Sequence, residues 1–95
     1  MLDDTRIMTL HPKGKKGVNI LKDKYDQIRD FIVQTVEARG AISFEALSDL
    51  AVDQLSKSFD GKVLWYVVTV KLDLEARGII ERIPKTSPHQ LRMKK

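Results

Sequence analysis

The segment that most constrains the fold of this chain is the unbroken stretch from Val63 to Gly78. Its first half, Val63-Leu64-Trp65-Tyr66-Val67-Val68-Thr69-Val70, is almost wholly β-branched, aromatic or apolar, and read locally it is a strand. Its second half, Lys71-Leu72-Asp73-Leu74-Glu75-Ala76-Arg77, reads as helix and is closed by Gly78. No breaker separates the halves, so one state must take both. The sequence predicts a single helix over about 62–77, with tertiary context overriding propensity, and a strand over 63–70 as the alternative.

The segments around it have clearer periods. Thr5 to Leu10 suits a short strand, and the run from His11 to Gly17 is rich in turn formers. Tyr25, Ile28, Ile32 and Val36 recur at helical spacing over about 23–39, with Asp23 as the expected cap and Gly40 as the stop. Ala41-Ile42 is a stub of strand. Ser43 is placed to cap a second helix carrying Phe44, Leu47, Leu50, Ala51 and Leu55. Asp60-Gly61 is a turn and an expected cap for the third helix. Ile79 to Ile83 and His89 to Lys94 then form a hairpin. The expected core is Ile28, Ile32, Val36, Leu47, Leu50, Ala51, Val67, Val70, Leu74 and Ile80.

Helix, stub, helix, helix, hairpin is the order of a winged helix, an α+β fold. Leu74-Glu75-Ala76-Arg77-Gly78-Ile79-Ile80-Glu81-Arg82 resembles the junction of third helix and wing in winged-helix regulators. The chain also resembles a family of small bacterial winged-helix proteins without assigned function. That likeness rests on His11-Pro12, Gly14, Gly17, Trp65-Tyr66 and Val70 to Gly78. It implies a fold and no activity. The expected organisation is an N-terminal arm, 1–22, partly extended, before a winged-helix domain at 23–95.

Charge is distributed unevenly. Residues 1–24 hold six Lys/Arg against three acids, 25–81 six against ten, and 82–95 five against none. Basic ends around an acidic middle suit nucleic-acid contact, and they also suit solubilising tails. The chain has no cysteine, which favours a reducing, cytoplasmic location. No signal-like or membrane-spanning run is apparent. His11 and His89 are too few and too far apart for a zinc site. No nucleophile is paired with a base, and Gly14-Lys15-Lys16-Gly17 lacks the spacing of a P-loop. The expectation is a non-enzyme with no cofactor, metal or small-molecule substrate.

The leading reading is a nucleic-acid-binding module for duplex DNA, such as a transcriptional regulator, held by phosphate contacts. Its candidates are Lys62, Tyr66, Thr69, Lys85, Thr86, Ser87, His89, Arg92, Lys94 and Lys95, with Lys13, Lys15 and Lys16 as a second cluster. A helical wheel complicates this. The face of the third helix opposite Leu74 holds Trp65, Val68, Thr69, Leu72 and Ala76, with Asp73 and Glu75 beside them, whereas groove readers carry Arg, Lys, Asn, Gln or Ser. The alternative is a protein-interaction module using Trp65, Val68, Leu72 and Ala76. Three covers suit that stripe: the N-terminal arm, a second copy as a homodimer, or a different protein. With the arm as cover, removing residues 1–17 is expected to red-shift Trp65.

Overall fold

The structure, a computed structural model, describes residues 5–94. Among them the elements are β1 (Arg6–Met8), β2 (Asn19–Leu21), α1 (Lys22–Arg39), β3 (Ile42–Ser43), α2 (Phe44–Leu55), α3 (Val63–Ala76), β4 (Ile80–Ile83) and β5 (Gln90–Met93). The protein is mixed α+β: three helices and two small antiparallel sheets, of order β1-β2 and β3-β5-β4.

The contested run is helical because its core-facing positions recur at helical spacing. Val63, Val67, Val70 and Leu74 are buried against α1 and α2. A strand would put Val63 and Val67 on one face and Val70 and Leu74 on the other. The β-branched residues forfeit a few tenths of a kcal/mol each in helix propensity, while burying each such side chain returns about 1.5–3 kcal/mol. From α1 the core receives Tyr25, Ile28, Ile32 and Val36, from α2 Leu47 and Ala51, and from the strands Ile20, Ile42, Ile80 and Leu91. Leu50, expected in the core, is only partly buried at its edge.

The helix ends explain how the sheets are placed. Ser43 has extended backbone and its Oγ accepts from the Ala46 amide at 3.1 Å, as expected of a cap. Asp23 is not a cap. It lies in the first turn of α1 behind Leu21 and accepts from Gln27. Nor is Asp60, because Lys62 occupies the cap position of α3 and makes no side-chain cap bond. At the other end of α3, Gly78 adopts φ +75°. Its amide donates to the Glu75 carbonyl, and that of Ile79 donates to the Leu74 carbonyl. This paired closure needs a left-handed residue, which glycine supplies without strain, and it turns the chain directly into β4.

One buried carboxylate ties the arm to the helices. Asp73 is 0% exposed. Its Oδ1 accepts from the Leu10 amide at 2.8 Å, and its Oδ2 accepts from the Tyr25 hydroxyl and from Arg77 Nε at 2.8 Å. The sequence places Asp73 on the solvent side of α3; the structure corrects this, turning it toward α1 and the arm. Beyond Leu10 the arm loops out and returns, closed at its base by Thr9. The Thr9 amide donates to the Val18 carbonyl, and the Val18 amide donates to Thr9 Oγ1. Gly17 lies so close that a Cβ there would come within 1.8 Å of the Thr9 carbonyl oxygen.

Burial, followed by its bond to Asp73, pushes the Tyr25 hydroxyl up to about 12 from 10.0. The folded state therefore holds this proton where the unfolded chain releases it, so stability is expected to fall as pH rises from 10 toward 12. Tyr25→Phe is expected to cost about 1–3 kcal/mol near neutral pH and to remove that alkaline loss. Urea denaturation at a series of pH values, with tyrosinate absorbance as a second readout, checks both.

Candidate nucleic-acid interface

The outer side of α3 divides into two halves. In the first, Leu64, Trp65 and Val68 are 52%, 46% and 38% exposed. In the second, Thr69, Leu72 and Ala76 are partly buried. Here the arm loop lies alongside: Leu10, Lys16, Gly17 and Val18 share a small pocket with Thr69 and Leu72, and Ala76 faces the loop further along. The arm thus covers one half of the stripe and leaves Trp65 open. Removing residues 1–17 is accordingly expected to change Trp65 emission little, contrary to the sequence expectation.

Indole and phenol rings fix the open half. Trp65 meets the Tyr66 ring edge-to-face at 4.9 Å, and Tyr66 meets Phe59 in the same way at 5.0 Å. Lys24 Nζ stands 5.5 Å from the Tyr66 ring centre. Tyr66 is therefore part of a stack running from the buried Phe59 to the surface, and partly buried itself.

The acids that the sequence sets against phosphate binding are internally matched. Asp73 is engaged as described. Glu75 pairs with Lys71 at 3.0 Å and with Arg82 at 3.5 Å, its side chain only 9% exposed. Both Lys71–Glu75 and Asp73–Arg77 are i,i+4 pairs, a spacing visible in the sequence that was the available signal for their neutralisation. Glu81 of β4 pairs with Arg92 of β5 at 2.7 Å. Among the described residues, Lys13, Lys15, Lys16, Lys62, Lys85 and Lys94 are exposed and form no ion pair with an acid.

The two basic regions of the sequence approach one another here. A cleft of about 390 Å³ runs between the arm loop and β4, lined by His11, Pro12, Lys13, Lys15, Leu72, Glu75 and Arg82. Arg82, absent from the sequence-based candidates, thus stands across α3 from the arm lysines.

The hairpin candidates are not equivalent. Lys85 is exposed at the tip with φ +63°, and Ser87 is exposed beside it, ahead of a cis bond to Pro88. Thr86 is occupied internally: its hydroxyl donates to the Ile83 carbonyl and accepts from the Gln90 amide. His89 stacks on Phe44 at 5.4 Å, its Nε2 buried and without a hydrogen-bond partner among the described residues. Arg92 is held by Glu81, but both groups are well exposed, and such a pair contributes at most about 1 kcal/mol, so a phosphate can compete for the guanidinium. Lys94 is exposed beside Gly78, and its amide donates to the Ile79 carbonyl. Lys95 lies outside the described residues.

Burial lowers the His89 imidazole below the ordinary 6.5, and the nearby Lys71 and Arg82 add to this, with Glu75 opposing. The neutral form is the one the fold accommodates. Its contribution to stability is complete above pH 6.5 and is lost as pH falls through the lower folded value. The His89 ring signals are expected to titrate below 6.5, with β4–β5 amides losing exchange protection over the same acidic window. A His89 titration at or above 6.5 would contradict this account.

No curated protein and no solved structure matches the chain. A family profile does, over residues 6–91, which takes in the arm from Arg6, all three helices and the hairpin as far as Leu91. On that match the chain belongs to the family of unknown function DUF6958.

Proposed function

We propose that this protein is a winged-helix module that binds nucleic acid chiefly through phosphates. What supports the winged-helix reading is the order of elements and the sheet β3-β5-β4, in which the stub before α2 pairs with the returning strand of the hairpin. The function rests on one observation. Around α3 the acids Asp73, Glu75 and Glu81 are each matched by a cation, while Lys13, Lys15, Lys16, Lys62, Lys85 and Lys94 are not matched by an acid among the described residues. Unmatched positive charge thus lies on the arm, the start of α3 and the hairpin, with Arg39 and Lys57 exposed at the ends of α1 and α2. The acids Glu45, Asp49 and Asp53, in no ion pair among the described residues, recur at i, i+4 and i+8 on the exposed side of α2. Lysines bound to phosphates release counterions, so affinity of this kind falls steeply with salt and carries little sequence preference.

A second reading has its own observation. Leu64 and Val68 are exposed aliphatics that a phosphate-led module does not require, and they suit a protein interface.

Fluorescence anisotropy with labelled oligonucleotides separates the two. Lys13→Glu with Lys15→Glu and Lys16→Glu is expected to abolish binding at moderate salt, and the three lysines together to account for up to about three units of the slope of log affinity against log salt. Val68→Asp is expected to leave binding of a duplex oligonucleotide within a few-fold. Unchanged affinity in the triple variant, with native circular dichroism, would remove the phosphate-led reading.

A further inference from the structure

The open half of α3 is ill suited to a duplex. Bases in a major groove are read by hydrogen bonds from polar side chains, and Leu64 and Val68 offer none. The same surface suits bases that are already unpaired. Every base has an aromatic face, and stacking requires only an exposed ring, firmly held, with cations nearby for the backbone.

Trp65 meets those requirements. Its indole is 46% exposed, and it is braced from behind by Tyr66, which is itself braced by Phe59. Lys62 lies one turn before Trp65 along α3, and Thr69 one turn after it. Lys16 of the arm shares a pocket with Thr69. Cations therefore flank the ring on both sides along the helix, with Lys62 and Thr69 about 10 Å apart along its axis. Leu64 and Val68 extend the apolar floor beside the ring, which explains exposed aliphatic surface that phosphate binding alone leaves unaccounted for.

We infer that the ligand is single-stranded nucleic acid, its bases stacking on Trp65 and its phosphates held by Lys62 and Lys16. This rests on the phosphate-led reading above and specifies its target. Tyr66 acts as a positioning residue that fixes the indole.

Trp65 is the chain's one tryptophan, so its emission reports on this position alone. The full chain is titrated with oligothymidylate and, separately, with a blunt duplex of equal length, at low and moderate salt. The expected result is saturable quenching of Trp65 by the single strand, weakening with salt, and affinity for it at least tenfold above that for the duplex. Trp65→Ala is then expected to lose about tenfold or more in single-strand affinity, measured by anisotropy, while its weak duplex binding is unchanged. Trp65→Phe is expected to recover part of the loss, and circular dichroism checks that both variants fold. Equal affinity for duplex and single strand without quenching, or an unaffected Trp65→Ala, would overturn the single-strand inference and leave the phosphate-led reading standing. Failure of both ligands to bind at low salt would overturn both.

Discussion

The Asp73 carboxylate is the point on which the arrangement of this molecule depends. It lies fully buried, and it joins three pieces that are distant in sequence: Leu10 of the arm, Tyr25 of α1 and Arg77 at the end of α3. Burying a charge is costly unless it is paired and hydrogen-bonded, and here both oxygens are engaged. The cost also makes the arrangement specific. Any packing that moves the arm off α3 or shifts α1 against it leaves a carboxylate in the interior without partners, so alternatives are penalised more heavily than apolar contacts alone would achieve.

That tether accounts for the composition of the outer face. Because Leu10 is held at Asp73, the loop beyond it is delivered to Thr69, Leu72 and Ala76, and its lysines arrive opposite Arg82. Residues that look like a separate basic tail in the sequence thus become one wall of a cleft. The opposite wall comes from β4, whose direction is set by the Gly78 closure of α3. Two local devices, a buried carboxylate and a left-handed glycine, bring together charge from the two ends of the chain.

Much of the fold was legible because it rests on local pattern. The Tyr25–Ile28–Ile32–Val36 spacing, the Ser43 cap, and the Gly40 and Gly78 stops each carry their signal within a few residues. The helix at 63–76 was legible only through the junction that follows it, since Val, Trp and Tyr favour a strand until their burial against α1 and α2 is known. What was not legible depends on long-range contact. Asp73 reads as a surface acid until Tyr25 and Leu10 are placed beside it. Thr86 and His89 read as free polar groups until the hairpin closes on one and Phe44 stacks on the other. Arg82 gained its place only from the arm, sixty-odd residues earlier in the chain.

The strand order β3-β5-β4 puts the last strand of the chain in the centre of its sheet. Ile42 pairs with Leu91, across just over half the chain, whereas β4 and β5 pair across a short turn. Closing the longer loop costs entropy that the hairpin does not pay, so β3 is expected to join last, after α2 and α3 have packed and brought the two ends near. The sheet is then a clasp fastened over a finished helical core. Because β3 runs directly into the Ser43 cap of α2, that final step also fixes where α2 begins relative to the hairpin.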